Sequence, residues 1–382
     1  MTGKILIVSN TSWSLFNFRL GLLRSLKEDG WEVVTSAPQD AYSSLVRREF
    51  RWIRIRHLNR RGYNPFQDFV LLLELVRIFL REKPDLVLSF TIKPNLYSAL
   101  AAKLTGTKSI CSVTGLGYSH DRFWILSYIV TLLYRWAFRL ADRIAFQNRE
   151  DFLYFIEKRI IKKGKGFLTP GSGVDLRRFT PTDSDSARRN PEAVRILFVG
   201  RMLWDKGIGE YVAAARAVKR NHGSAQFSLL GPIDSGNPNG IELESIRKWE
   251  QEGAVRYLGS TDDVRPFLEK ADVFVLPSYY REGVPRVLLE AMAMGKPIVT
   301  TDSAGCREAV EQGKNGFLVP VRDSRALSEA VTRLIEMDRK CRERMGKASR
   351  NKVENGYDER FVVRKYKKAI NEIIKGEIIK GK

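Results

Sequence analysis

The sequence predicts an α/β protein made of two doubly wound domains, and three observations carry that prediction. Strand-like and helix-like segments alternate through the first hundred residues. A polar stretch without apolar periodicity, residues 182–193, interrupts the alternation, which then restarts. Alternating strands and helices indicate parallel sheets covered by helices on both faces. A length of 382 residues suits two domains of ordinary size.

The first half begins with a short apolar strand, and helical spacing follows each strand. The predicted elements, in order, are Lys4–Val8 (strand), Phe16–Asp29 (helix), Trp31–Ser36 (strand), Phe69–Arg81 (helix), Leu86–Ser89 (strand) and Tyr97–Leu104 (helix). We expect this domain to span residues 1–182, with a C-terminal helix at about 358–382 packed back on it.

The second half repeats the pattern, and several of its strands end at glycine or proline. The predicted strands are Val194–Val199, Ala225–Leu230, Val255–Leu258, Val273–Leu276 and Ile298–Thr301, and the predicted helices are Ile208–Arg220 and Pro285–Met294. We expect this domain to span residues 183–357. Two such domains would bind a ligand in a central cleft, facing the carboxyl ends of their strands.

The charge is strongly basic and unevenly distributed. The net charge is +21, and residues 1–190 hold 31 Lys+Arg against 17 Asp+Glu. A basic surplus favours a polyanionic partner such as nucleic acid, anionic lipid or a phosphate-bearing substrate. Three widely spaced cysteines favour a reducing compartment over a disulfide framework. No signal peptide is visible, and no apolar run reaches the roughly 20 residues of a transmembrane helix.

The segment GRMLWDKG, residues 200–207, lies between a predicted strand and a predicted helix. A helix N-terminus offers free N–H groups and partial positive charge to a phosphate. Arg201 and Lys206 would add two full charges there. Fixed cations stabilise a departing diphosphate, as a metal ion would. The alternative is a surface turn with two solvated cations.

The segment REGVPRVLLEAMAMG, residues 281–295, places two glutamates on either side of a predicted helix start. Pro285 can open that helix. With a diphosphate over the helix start, Glu282 would reach the donor sugar and Glu290 the ribose hydroxyls. For an isolated pair, a capping carboxylate plus a surface glutamate would be the simpler interpretation.

These segments, with NGFLVP at 315–320, resemble the family-4 retaining glycosyltransferases. The resemblance implies the glycosyltransferase-B fold of two Rossmann-like domains. It implies that Arg201 and Lys206 bind the diphosphate, and that Glu282 and Glu290 are the family's two spaced glutamates. Gly283 and Val284 would bring backbone N–H groups to the sugar and phosphate. The family needs no metal, so we expect no cofactor.

The first half, including SNTSWSLFNFRLGLLRSL and SVTGLGY, resembles a subgroup that acts on polyprenyl-diphosphate-linked sugars. The resemblance implies a UDP-sugar donor and a lipid-linked saccharide acceptor, as in capsule, O-antigen and glycoprotein glycan assembly. Ser12 and Ser14 would face the donor phosphates, together with Gly117. His120 is a candidate for the first-domain histidine that many family members place near the donor sugar.

The run Phe123–Phe138 is rich in aromatic residues and lies between arginines. It is too short to span a bilayer, and it fits either an interfacial helix or a buried core helix. In the interfacial interpretation Phe123, Trp124 and Arg135 contact the membrane, together with Arg60 and Arg61. We therefore expect peripheral association with the anionic cytoplasmic face of the cell membrane.

Three alternatives to a glycosyltransferase fit these motifs less well. A nucleic-acid-binding protein would need a basic and aromatic recognition element, and we find none, so no nucleic-acid partner is expected. A sugar-nucleotide 2-epimerase would share the two-domain fold without a reason for a lipid-facing helix. An assembly protein with a decayed site disagrees with the four intact charged residues.

Overall fold

The computed structural model describes residues 3–59, 64–115, 124–181 and 193–376. The chain divides into two compact units. The first contains the chain up to Gly173 and again from Glu359, and the second is Val174–Asp358. The backbone therefore passes between the units twice.

The first unit is a seven-stranded parallel sheet in the order β3-β2-β1-β4-β5-β6-β7. Its strands are β1 Lys4–Val8, β2 Glu32–Ala37, β3 Arg51–Arg54, β4 Leu86–Phe90, β5 Lys108–Val113, β6 Arg143–Phe146 and β7 Gly166–Leu168. Its first helices are α1 Ser12–Glu28, α2 Ser43–Arg47, α3 Pro65–Glu82, α4 Ile92–Thr105, α5 Trp124–Leu140 and α6 Arg149–Glu157.

Side chains of this sheet alternate between two separate cores. Ile5 and Ile7 of β1 join a cluster that includes Leu15 of α1. Leu6 and Val8 join another cluster with the buried face of α3. Successive residues of a strand point to opposite faces, so helices must cover both. This is the doubly wound arrangement predicted from the sequence.

The second unit is a six-stranded parallel sheet in the order β10-β9-β8-β11-β12-β13. Its strands are β8 Arg195–Val199, β9 Gln226–Leu230, β10 Arg256–Tyr257, β11 Val273–Leu276, β12 Ile298–Thr301 and β13 Gly316–Val319. Its helices are α7 Ile208–Lys219, α8 Leu243–Gln251, α9 Arg265–Lys270, α10 Arg286–Ala293, α11 Cys306–Ala309, α12 Ser324–Glu336 and α13 Arg339–Gly356.

The last helix, α14 Glu359–Ile374, returns to the first unit. It packs beside α1 and shares a core cluster with β1. Five of its residues are buried: Val362, Tyr366, Ala369, Ile370 and Ile373. The Tyr366 hydroxyl also pairs with Ser112 Oγ at 2.8 Å, at the end of β5.

The predicted fold class is confirmed. The structure adds five strands that the sequence did not predict, β3, β5, β6, β7 and β13, and several helices begin earlier than predicted. Helices α1, α3 and α4 begin four or five residues before the predicted positions. Thr11 caps α1 by accepting a hydrogen bond from Ser14 N, and Asn64 caps α3 through Phe66 N and Gln67 N. The capped first turns of α1 and α3, in which polar residues accompany Trp13 and Phe66, lie outside the apolar periodicity that located the helices.

Candidate active site

In the second unit the strand order reverses at β8, which lies between β9 and β11. Two loops leave the carboxyl ends of β8 and β11 at this switch point: residues 200–207 and residues 277–285. Doubly wound sheets bind their ligands at such a point. We call these two segments the β8 loop and the β11 loop.

The two loops touch at Gly207, which has a φ of +76°. A Cβ atom built there would lie 2.0 Å from the Pro277 carbonyl oxygen. Position 207 therefore requires glycine, because its φ is positive and because no side chain fits beside Pro277. The short 3₁₀ turn Trp204–Lys206 precedes Gly207 and directs Lys206 toward the β11 loop.

Backbone hydrogen bonds fix the loops in register. The Asp205 carbonyl accepts from Tyr279 N and Tyr280 N, both at 3.0 Å. The Ser278 carbonyl accepts from the hydroxyl of Thr301 and, at 3.1 Å, from that of Ser303. These bonds hold the β11 loop between the β8 loop and the end of β12.

Lys206 Nζ forms an ion pair with Glu282 Oε1. The Lys206 side chain is 11% exposed and that of Glu282 is 21% exposed. Ser278 Oγ donates to the same carboxylate at 3.4 Å, and Lys206 Nζ lies 5.2 Å from the centre of the Tyr280 ring. The structure thus brings together two of the predicted residues, which lie 76 positions apart.

Arg201, at the start of the β8 loop, has a partner that the sequence did not suggest. Its Nη1 donates to Asp234 Oδ2 at 3.1 Å. The Arg201 side chain remains 34% exposed, so it is accessible to a ligand. Asp234 follows β9 and lies 33 positions from Arg201 in the sequence. A contact between residues so far apart produces no periodic sequence pattern, so no motif points to Asp234.

Glu290 lies in the second turn of α10, and Arg286 one turn earlier donates to its Oε1 at 3.0 Å. Both side chains are largely buried, at 15% and 11% exposure. Burial raises the pKa of Glu290, and the charge of Arg286 opposes that shift. The i,i+4 spacing of a basic and an acidic residue is a signal that could have revealed this pair.

Gly283 and Val284 are buried just before α10. The chain of Gly305, with a φ of +79°, passes so close that a Cβ there would lie 2.2 Å from the Gly283 carbonyl. No side chain caps α10 at Pro285. Its first turn therefore has backbone N–H groups suited to an anion.

Asp205 adds a buried carboxyl to the β8 loop. Asn239 Nδ2 donates to its Oδ2 at 3.1 Å, while Oδ1 has no hydrogen-bond partner. Burial raises the pKa of Asp205, an effect that the charges of Lys206 and Arg201 oppose. Burial likewise raises the pKa of the Tyr280 hydroxyl.

Sequence comparisons agree with this geometry. A family profile described as "Glycosyl transferases group 1" matches residues 193–337, and one described as "Glycosyl transferase 4-like" matches residues 4–148. A Campylobacter jejuni protein is 30% identical across 97% of this chain and 99% of its own length. It is N,N'-diacetylbacillosaminyl-diphospho-undecaprenol alpha-1,3-N-acetylgalactosaminyltransferase.

The chain belongs to the family-4 glycosyltransferases.

Two further similarities support the assignment of this glycosyltransferase. An Escherichia coli UDP-Gal:alpha-D-GlcNAc-diphosphoundecaprenol alpha-1,3-galactosyltransferase is 26% identical over 78% of each chain. The crystal structure of HepE from Anabaena in complex with UDP superposes with a TM-score of 0.78, at 18% identity, over 97% of this chain and 100% of that one. The latter shows the shared fold. Nothing in these comparisons favours the epimerase alternative.

In the first unit of the glycosyltransferase, Ser12 and Ser14 lie in the first turn of α1, although the sequence predicted that they precede the helix, and both have internal partners. The Ser12 hydroxyl is buried, 3.0 Å from Ser43 Oγ, and accepts from Trp52 Nε1 at 3.1 Å. The Ser14 amide donates to Thr11 Oγ1. Their contact with the donor phosphates stays a prediction.

Five predicted residues lie outside the described part of the chain: Arg60, Arg61, Gly117, His120 and Phe123. So do the linker acids Asp183 and Asp185. Trp124 is the first residue of α5. Among the described residues, no group of His, Cys, Asp and Glu is arranged to hold a metal ion.

The later part of α5 combines buried residues with an exposed tryptophan. Tyr134, Ala137 and Phe138 are buried in a core cluster, whereas Trp136 is 67% exposed. Arg135 donates to the Lys158 carbonyl at 3.0 Å, so this arginine is engaged within its own unit. Its predicted contact with the membrane stays untested.

Proposed function

We propose that this glycosyltransferase moves a hexose or N-acetylhexosamine, with retention of configuration and without a metal, from a UDP-sugar to a polyprenyl-diphosphate-linked saccharide. The observation that carries the proposal is the Lys206–Glu282 pair, held beside the uncapped start of α10 at the switch point of the second sheet. Such a site offers a cation to phosphate and a carboxylate to a sugar within a few ångströms.

The donor diphosphate would bind to Arg201, Lys206 and the N–H groups that open α10. Breaking the sugar–phosphate bond leaves charge on the diphosphate, and preorganised cations lower the barrier for that step. Two similar proteins support UDP as the nucleotide. The Escherichia coli relative has UDP-Gal in its name, and HepE was crystallised with UDP.

The two glutamates would bind opposite ends of the donor. When the diphosphate takes up the Lys206 ammonium, Glu282 becomes available to accept hydrogen bonds from sugar hydroxyls. Ser278 would help to hold the carboxylate in place. Glu290 has one oxygen held by Arg286, which leaves the other to accept from the ribose hydroxyls.

In a retaining transfer the acceptor hydroxyl attacks the face from which the diphosphate leaves. The leaving phosphate oxygen itself would take the acceptor proton, so we assign no protein general base.

The acceptor is assigned from two relatives whose names contain undecaprenyl-diphosphate saccharides. The relative that spans nearly all of this chain adds N-acetylgalactosamine, which favours surface polysaccharide or glycoprotein glycan assembly. The excess of basic residues in the first half suits a protein that works at the anionic inner face of the cell membrane.

The test is the mass of the product formed from a panel of UDP-sugars and short-chain prenyl-diphosphate saccharides. We expect one donor to give a product heavier by one sugar residue, together with free UDP. Conversion of the UDP-sugar into an epimer without an acceptor would overturn the proposal in favour of an epimerase.

A further inference from the structure

Helix α3 of the first unit exposes a continuous apolar stripe. Phe66 is 76% exposed, Phe69 56%, Leu73 41% and Leu80 58%. Residues three, four and seven apart share one face of a helix, so these four side chains form a single row. At 1.5 Å per residue the row is about 21 Å long.

The opposite side of α3 already packs against the sheet. Leu71, Leu75, Ile78 and Phe79 are buried in the cluster that includes Leu6 and Val8. A helix that covers a sheet normally has a polar outer face. Packing within the first unit therefore accounts for the inner side of α3 and leaves the outer stripe unexplained.

The acidic residues of α3 are paired within the first unit, whereas its arginines are exposed. Its three acidic residues, Asp68, Glu74 and Glu82, each contact a basic side chain within the unit. The partners and distances are Lys93 Nζ at 2.7 Å, His57 Nδ1 at 3.0 Å and Arg51 Nη2 at 2.7 Å, respectively. Arg77 and Arg81 are exposed. The outer face of α3 thus combines apolar residues with positive charge.

The apolar stripe begins near the carboxyl edge of the first sheet. Helix α3 connects two parallel strands, β3 and β4, so it starts at the carboxyl edge of the sheet and runs back. Phe66 and Phe69 therefore lie near the edge at which doubly wound domains bind their substrates. An acceptor that remains anchored in a lipid layer would approach from that side.

We propose that α3 is the surface by which this glycosyltransferase lies on an anionic bilayer, with Phe66, Phe69 and Leu73 inserted at the boundary between headgroups and acyl chains. The inference rests on the proposed lipid-linked acceptor. An amphipathic helix whose outer face carries exposed aromatic residues and arginines has the chemistry of an interfacial helix, and the surplus of 14 positive charges over residues 1–190 complements anionic lipid. This surface differs from the run Phe123–Phe138, which the sequence left open between an interfacial helix and a buried core helix.

None of the helices in the described ranges is long and apolar enough to cross a membrane. Vesicle binding therefore tests the stripe directly. The probe is co-sedimentation with vesicles of phosphatidylglycerol and phosphatidylcholine at low salt. The variant is Phe66→Ala/Phe69→Ala/Leu73→Ala, because alanine keeps the helix propensity. The matched control is Leu243→Ala/Val321→Ala, which shortens two exposed apolar residues of the second unit (37% and 44% exposed).

Wild type and the control should bind these vesicles equally, and the triple variant at least about tenfold more weakly. Binding should weaken with added salt and on pure phosphatidylcholine. The inference is overturned if wild type does not bind, or if the triple variant binds like wild type. Should the triple variant unfold at a lower temperature than the control, Phe66→Ala alone replaces it, with about threefold weaker binding expected.

Transfer assays separate this inference from the proposed function. With a short-chain acceptor in solution the triple variant should match wild type within about twofold, because α3 would not contact that substrate. With a long-chain acceptor in vesicles it should be slower by the same factor as its binding. If wild type glycosylates neither acceptor but binds vesicles through α3, the proposed function fails and the docking surface stands.

Discussion

Replacing Lys206 with methionine would remove one positive charge from the candidate donor site while keeping the length of the side chain. In the structure the ammonium pairs with Glu282 and faces the ring of Tyr280. After the replacement, the Ser278 hydroxyl at 3.4 Å still contacts the carboxylate, so the β11 loop keeps part of its support.

The expected loss of stability is modest. The pair is mostly buried, with the Lys206 and Glu282 side chains 11% and 21% exposed. Removing one partner of such a pair costs about 1–3 kcal/mol. For a unit of this size each kcal/mol lowers the melting temperature by about 2–4 °C. Lys206→Met should therefore remain folded at 25 °C.

The expected loss of activity is much larger. Removing one fixed group that stabilises developing charge costs about 100- to 1000-fold in turnover. Because this stabilisation is greatest in the transition state, kcat should fall more than KM rises. A folded protein with a hundredfold lower kcat would place Lys206 at the leaving diphosphate.

The assay measures UDP release from the donor identified in the product screen, together with thermal unfolding. Lys352→Met is the matched control, because Lys352 also pairs with a glutamate of the second unit, Glu311, at 3.2 Å and is 20% exposed. It should keep wild-type kcat. The double variant Lys206→Met/Glu282→Gln should recover stability without recovering activity.

One result would refute this reasoning. If Lys206→Met kept kcat within about threefold of wild type while losing stability, the Lys206–Glu282 pair would only hold the two loops together. The diphosphate would then have to be neutralised elsewhere, and the proposed function would lose its main support.

Three further predictions concern the loops around this site. Asp205→Asn should gain melting temperature relative to wild type as pH rises above 3.8, the ordinary pKa of an aspartate. The raised pKa of the Asp205 carboxyl gives wild type stability that is complete below the unfolded-state pKa and is lost as pH rises through the folded-state pKa. A difference in melting temperature that stays constant with pH in differential scanning fluorimetry would contradict this. Gly207→Ala should lower the free energy of unfolding, measured by urea denaturation, by about 2–4 kcal/mol, because the new Cβ would lie 2.0 Å from the Pro277 carbonyl oxygen. Arg286→Met should raise the donor KM about tenfold with little change in kcat, because it removes the cation that orients the Glu290 carboxylate. An unchanged KM would show that Glu290 does not bind the ribose.

Eight of the strands in the described ranges could be predicted from sequence because they are short apolar runs that end at turn residues. Lys4–Val8, Val273–Leu276 and Ile298–Thr301 have the predicted bounds. The sequence did not predict strands β3, β5, β6, β7 and β13. In β3, RWIR, exposed arginines at both ends of an edge strand leave only a weak apolar signal.

The charged residues of the candidate site could be predicted from the sequence, but the ion pairs that they form could not. The spacing of Glu282 and Glu290 around a helix start could be read along the chain, and the resemblance to a family gave Arg201 and Lys206 their roles. The partner of Arg201, Asp234, follows β9, and the partner of Lys206, Glu282, lies in the β11 loop. Only the sheet order, which sequence periodicity does not contain, brings these segments to one edge.

The return of α14 to the first unit also affects how the protein can be made. On the ribosome every residue of the second unit has been synthesised before Glu359 appears, whereas the first unit still lacks the helix that covers Ile5, Ile7 and Leu15. The second unit can therefore fold first, although it is encoded later. A fragment ending at Gly173 would leave that core open to water, so neither half of the gene encodes a complete first unit.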